Sequence, residues 1–231
     1  MIFDLFHSQG KSVCYDEYGC FSNDAPFSDL PLPEDPTRIY PTFYLYENNK
    51  IQSPTIVNST NKLNMNDLIL IIHGFEENYQ SSLEWHRGIA EKILKVKQNS
   101  HVLFVDWGNG AKMGWGFNIY YQPASNTRVI GAVIARFLES SWAFQARSIY
   151  CIGFSLGSHV CGFASKSLKG NNKFGRITAL DPANPSFDKS DPTARIDKSD
   201  AEFVDVMHVS WCGLQMSVGH VDFWVIKFNN F

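Results

Sequence analysis

Ser148-Ile149-Tyr150-Cys151-Ile152-Gly153-Phe154-Ser155-Leu156-Gly157-Ser158-His159 is the stretch that decides the fold. The residues up to Ile152 form a short apolar and β-branched run that reads as a buried strand. From Leu156 to Leu168 the apolar positions Val160, Phe163, Ala164 and Leu168 recur at helical spacing. The pattern Gly153-x-Ser155-x-Gly157 therefore falls on a strand-to-helix turn, the context in which such a serine is lifted clear of a sheet. Glycine suits both flanking positions because a Cβ there would strike neighbouring backbone. The next amide, Leu156 N–H, sits at a helix N-terminus, where it can stabilise a negative oxygen. A plain turn that happens to contain a serine is the alternative for the five residues alone; the strand before them and the helix after them argue against it.

Outward from this turn, strands and helices alternate. Leu68 to Ile72 is a continuous apolar run ended by His73-Gly74-Phe75, as in a central strand buried on both faces. A helix with a Ser81-x-x-Glu84 capping box follows, its apolar face made by Ile89, Ala90, Ile93 and Leu94. His101–Trp107 reads as the next strand. A Gly- and aromatic-rich loop then contains Trp115, Phe117, Ile119 and Tyr120, and a second helix carries Val129, Ile130, Val133, Ile134, Phe137 and Leu138. Beyond the turn, Arg176–Leu180 and Phe203–Val209 are strands, and Arg38–Glu47 with Thr55–Val57 supply two more near the start. Such alternation predicts a mostly parallel sheet with helices on both faces.

Three strand ends point to the carboxyl edge, where open α/β sheets place their sites. One bears Ser155. The second bears Asp181, 26 residues later in the serine-then-acid order that an α/β-hydrolase needs, although Asp before Pro182 is also an ordinary turn-former. The third is the His73-Gly74-Phe75 loop, where Phe75 N–H could be a second oxyanion donor. His73 reads as a structural hydrogen-bonding residue.

At this point the sequence resembles the pancreatic-type lipase family of animals. The resemblance rests on Val13-Cys14-Tyr15-x-x-x-Gly19-Cys20-Phe21, Ile71-Ile72-His73-Gly74-Phe75, Val105-Asp106-Trp107 and Gly153 to His159. It continues in Gly175 to Ala183, Ser199 to His208 and Gly219-His220-Val221-Asp222-Phe223, so that it spans nearly the whole chain. It implies an α/β-hydrolase domain over residues 1–231, with Ser155 as nucleophile, Asp181 as triad acid, and the Phe75 and Leu156 amides as oxyanion hole. A Cys14–Cys20 disulfide is implied as well. The implied reaction is hydrolysis of glycerolipid esters, triacylglycerol or phospholipid, through an acyl-enzyme outside the cell. The partner would be a lipid substrate or a lipid–water interface. No cofactor is required for that chemistry. The resemblance also implies a structural calcium held by Asp197, Asp200 and the carbonyls of Pro192 and Arg195, oxygen ligands that suit a hard cation; solvated turn carboxylates are the alternative.

In the family a lid, a catalytic histidine and, in larger members, a β-sandwich domain follow the Gly-His-x-Asp-Phe element. Here Trp224 to Phe231 end the sequence, so neither lid nor histidine is expected within it, and a poor esterase is expected. His208 and His220 match family positions other than the triad base, and His159 reads as a packing residue. A non-catalytic lipid-binding member of the same fold is the rival reading.

Composition narrows the rest. A net charge of −3 provides no basic field for nucleic acid, and no apolar run approaches a membrane span. Among five cysteines, the spacing of Cys14 and Cys20 suits a local disulfide in an oxidising compartment. Cys151 and Cys161 read as buried free thiols, and Cys212 has no assigned partner. Asn58-Ser59-Thr60 is a glycosylation sequon consistent with secretion, while Met1–His7 does not read as a signal peptide.

Overall fold

The computed structural model describes residues 11–58, 67–114, 119–140, 145–188 and 191–225. Its centre is the apolar run Leu68–Ile72 (β5), all five residues of which are buried. Alternate side chains serve opposite faces of the sheet. Leu68, Leu70 and Ile72 join the larger core, and Ile69 and Ile71 join the smaller one. A strand buried on both sides has no use for a polar face, which is why its sequence is unbroken.

On one side β5 pairs in parallel with His101–Asp106 (β6). Thr42–Tyr46 (β3) and Thr55–Val57 (β4) then complete that side in antiparallel register. On the other side β5 pairs with Tyr150–Phe154 (β7), followed by Phe174–Leu180 (β8), Ala201–His208 (β9) and Val221–Trp224 (β10), all parallel. The strand order is β10-β9-β8-β7-β5-β6-β3-β4. Ser12–Tyr15 (β1) and Gly19–Ser22 (β2) form a separate hairpin. This is an α/β-hydrolase sheet, mostly parallel with crossover helices. No described helix is long and apolar enough to cross a membrane.

Leu83–Val96 (α2) packs on the smaller-core face through Ala90 and Leu94. Its N-terminus differs from the predicted capping box. The cap residue is Ser82, whose hydroxyl turns back to Asn78 O at 2.6 Å, while the Asn78 side chain receives the Gln80 and Ser81 amides. Near the start, Pro36–Ile39 is a short helix (α1) rather than the beginning of a strand, because Asp35 caps the Thr37 amide and Pro36 sets the first turn.

On the other face lie Tyr121–Glu139 (α4), with the four-residue Gly108–Ala111 (α3) before it, and Leu156–Lys166 (α5). Sequence periodicity predicts an amphipathic α4. The helix is instead buried on nearly every side, because residues 22–36 cover its polar face. Arg128, 4% exposed, donates to Ser22 O at 2.7 Å, Pro31 O at 3.2 Å and Ser125 Oγ at 2.8 Å, and its guanidinium lies 4.3 Å above the Phe27 ring. Burial lowers its pKa to about 10. Asn126 adds bonds to the Glu34 backbone and side chain.

Cys14 and Cys20 are disulfide-bonded across the hairpin. Cys151 and Cys161, read from sequence as free thiols, are joined as well, tying β7 to α5 on either side of Ser155. The burial expected of them holds. The pairing arises because the sharp turn folds the helix back over the strand that precedes it. Cys212 is free and exposed. Removing the buried bridge in a Cys151→Ala/Cys161→Ala variant should cost about 2–3 kcal/mol, the closure entropy of so short a loop, and lower Tm by roughly 5–10 °C. Thermal melts of oxidised protein check it; a variant melting with the parent would show that the bridge contributes nothing.

Candidate active site

Ser155 has φ 53° and ψ −119°, a left-handed backbone that only a tightly held turn imposes on a serine. What holds it is backbone packed against backbone. A Cβ on Gly153 would lie 2.4 Å from Gly157 O, and one on Gly157 would lie 2.3 Å from Ile72 O. The two glycines thus let α5 start directly against both β7 and β5. Ser155 N–H donates to Leu180 O at 2.9 Å, and Ser158 Oγ–H donates to Gly153 O at 2.8 Å. As the first residue of α5, Leu156 offers one of the amides that a helix leaves without an intrahelical acceptor.

The loop after β5 lies beside this turn. A Cβ on Gly74 would come within 2.9 Å of Ser155 Cβ, so the chain bearing Phe75 passes against the serine. The loop is braced from several sides. Gly74 N–H donates to Glu77 Oε2 at 2.8 Å, while Glu77 Oε1 receives the Trp85 indole at 3.1 Å. His73 spends both ring nitrogens here: Nδ1 is 3.0 Å from Gly74 O, and Nε2 accepts from Trp107 N–H at 3.0 Å. The Trp107 indole returns a bond to His73 O, and the two rings stack. The Phe75 ring meets Tyr120 edge-on. Burial raises the Tyr120 pKa.

Asp181 immediately follows the last register pair between β7 and β8, Phe154 opposite Leu180, just as Ser155 does. Its backbone is also left-handed, with φ 47°. Its carboxylate is surrounded by donors. Oδ1 accepts from the Val209 and Ser210 amides at 2.9 and 3.0 Å, and Oδ2 accepts from the Ser210 hydroxyl at 2.5 Å. A Cβ on Gly213 would sit 2.3 Å from Oδ1. Nothing in the sequence pattern singles out Ser210 or Gly213; both act through a loop that returns to the strand end.

No imidazole among the described residues bonds Ser155 or Asp181. His208 is placed between Leu214 O and Asp222 Oδ1, at 2.8 Å from each, and stacks on Trp224. His220 Nδ1 accepts from Val204 N–H. His159, fully buried, accepts from Ile196 N–H at Nδ1, lies 2.9 Å from Ala183 O at Nε2, and stacks on Phe187. Burial drives its pKa down to about 3.

The four residues implied as calcium ligands lie far along the sequence from the turn, around the 3₁₀ turns Pro192–Ala194 and Lys198–Asp200. Two of them, Arg195 through its carbonyl and Asp200 through its carboxylate, meet at a position that a lysine already holds. The Lys166 ammonium lies 2.6 Å from both Asp200 carboxylate oxygens and 2.8 Å from Arg195 O. Asp197 caps the Lys198–Asp200 turn through the Ser199 amide and hydroxyl, and it faces the Arg195 guanidinium at 3.4 Å. The residues present therefore do not fit a calcium ion. Asn58 is exposed, while Ser59 and Thr60 of the sequon lie outside the described residues, as do Trp115 and Phe117.

Known proteins resemble this chain over most of its length. The sequence profile of the Lipase family matches residues 11–226. The chain is 35% identical to the pancreatic triacylglycerol lipase of Myocastor coypus over 93% of its own length and 50% of the relative's. It is also 35% identical to the human pancreatic triacylglycerol lipase, over 93% of this chain and 49% of that one. The chain thus spans about half the length of the curated relatives it matches. A solved carboxylesterase from Lactobacillus plantarum aligns over 88% of this chain and 72% of its own, at 14% identity and a TM-score of 0.42. With a family-wide match joined to the serine turn and its strand order, the chain belongs to the lipase family.

Proposed function

We propose that Ser155 is the nucleophile of a carboxylic ester hydrolase acting on glycerolipids. The observation that carries this is the contact of Gly74 with Ser155, which sets the Phe75 and Leu156 amides on the chain segments flanking one hydroxyl. In the reaction of a complete triad, Ser155 Oγ adds to the ester carbonyl as the triad's imidazole takes its proton, and the new oxyanion is held by those two amides. The imidazolium then gives the proton to the departing alcohol, leaving an acyl-serine that water cleaves by the same two steps. Asp181, held by the Val209 and Ser210 amides and the Ser210 hydroxyl, is the acid that orients the imidazole. Triacylglycerol and phospholipid esters share the reacting group and both remain candidate substrates. Exposed Ile119, on the loop ahead of α4, and Trp211, 85% exposed beside Ser210, support contact with a lipid–water interface. The two disulfides support an oxidising, extracellular setting.

A second reading, a non-catalytic lipid-binding protein, is favoured by one observation. Both Asp181 oxygens are engaged by the Val209–Ser210 loop, and no described histidine reaches them. Hydrolysis of p-nitrophenyl butyrate separates the readings. Without a base in place, turnover should fall on the order of 10⁴- to 10⁶-fold below that of a complete triad. Added imidazole, corrected for its own reaction with the ester, should raise a rate that Ser155→Ala abolishes. A folded chain showing no Ser155-dependent rate at any imidazole concentration, yet binding lipid vesicles, would establish the second reading.

A further inference from the structure

We infer that Lys166 is a built-in replacement for a divalent cation, holding the 191–200 segment against α5 so that the fold needs no calcium. The geometry begins on the helix. Gly162 and Lys166, four residues apart, share one face of α5. At Gly162 the missing side chain makes room for an acid: a Cβ there would be 2.7 Å from Asp200 Oδ2. One turn further on, the Lys166 ammonium reaches the same carboxylate, touching both oxygens at 2.6 Å and Arg195 O at 2.8 Å. These three oxygens converge on a single nitrogen at 2.6–2.8 Å, as charge-assisted hydrogen bonds do, so the ammonium stands where an oxygen-liganded cation would have to sit. Asp200 Oδ2 also accepts the Asp197 amide within its own turn, and Asp200 O accepts the Ser165 hydroxyl, so Lys166 and Ser165 both fasten the carboxylate-bearing turn to α5.

Charge agrees with occupancy by the lysine. Lys166 and Arg195 together contribute two positive charges, and Asp197 and Asp200 two negative ones. A divalent ion would have to expel the ammonium or leave the group with two excess positive charges in a site where Asp200 is 3% and Arg195 5% exposed. The lysine stem is also seated, with its ammonium 5.6 Å from the Phe163 ring centroid. An ammonium tethered to the helix supplies the linkage without a free ion's binding equilibrium, at the cost of desolvating one lysine.

The test is calcium dependence of the parent chain and of Lys166→Met, which keeps most of the stem volume and removes the charge. Thermal melts in millimolar CaCl₂ and in EGTA should coincide for the parent, and calorimetric titration with CaCl₂ should show no binding. Lys166→Met should melt lower in EGTA, and calcium at about 100 times its Kd should restore roughly 5–10 °C. Lys166→Arg, which retains the charge, should show no calcium response and covers the case in which Lys166→Met does not fold. Calcium binding by the parent, or a parent melt that shifts in EGTA, overturns the inference. So does a folded Lys166→Met chain that gains no calcium response.

Discussion

Gly157→Ala should destabilise the protein by about 3–5 kcal/mol, at the upper end of what one added methyl group does. The new Cβ would stand 2.3 Å from Ile72 O, 2.6 Å from His73 O and 2.8 Å from Ile72 C. All three atoms are backbone, at the end of the central strand, so no side-chain rotation can relieve the contact. To accommodate it, α5 must withdraw from β5, taking with it the turn that holds Ser155. For a chain of this size the change corresponds to a fall in Tm of roughly 10 °C or more. Gly88→Ala is the internal control. Gly88 lies inside α2 with nothing within 4 Å of a Cβ, so alanine there should stabilise by about 0.5–1 kcal/mol through helix propensity. Equal melting temperatures for the two variants would refute the steric account of the turn.

The second large effect is acid sensitivity centred on His159. Its imidazole is held neutral: Nδ1 accepts the Ile196 amide, and protonation would set one N–H against another. With a native pKa of about 3 and an unfolded value of 6.5, the unfolded chain takes up the proton first. The stabilisation that depends on the neutral ring is therefore complete above pH 6.5 and is lost as pH falls toward 3. At pH 4.5 the loss amounts to about 2–3 kcal/mol. His86, which burial lowers to about 4, contributes with the same sign. Asp200, which burial raises to about 6, contributes with the opposite sign. A comparison with His159→Gln removes both, since they are common to the two chains. Denaturant midpoints should show the variant less stable at pH 7, with the gap narrowing by that 2–3 kcal/mol at pH 4.5. A gap unchanged with pH would exclude His159 as the cause.

Much of this architecture is legible in the residues, because apolar period reports burial directly. Leu68–Ile72 reads as a doubly covered strand, and Gly153-x-Ser155-x-Gly157 between a strand and a helix marks a turn whose steric demands the structure displays atom by atom. What escapes the sequence is whatever depends on two distant segments meeting. Cys151 and Cys161 each look like core residues of their own element, and only the reversal at Ser155 sets them opposite one another. Lys166 reads as a helix-end lysine until Gly162 and the 191–200 segment are brought together around it. The polar face of α4 looks solvent-directed because nothing in its own pattern announces that residues 22–36 lie over it. The proposed acid is similar: Asp181 is visible in the sequence, whereas Ser210, which bonds its carboxylate, and Gly213, which leaves room for it, are not.

Covering α4 in this way also bears on how the chain meets proteases. Residues 23–35 have no regular secondary structure and three prolines, and would ordinarily be an early cutting site. A protease, however, must draw a stretch of backbone into its own cleft before it can cut, so the rate follows the free energy of local opening. Opening here means pulling Ser22 O and Pro31 O away from the buried Arg128 guanidinium and uncovering Phe27 and the Asn126–Glu34 bonds. Irregular as it is, this segment is held down by the core helix beneath it, and its resistance to cleavage reports on how firmly Arg128 and Asn126 keep it there.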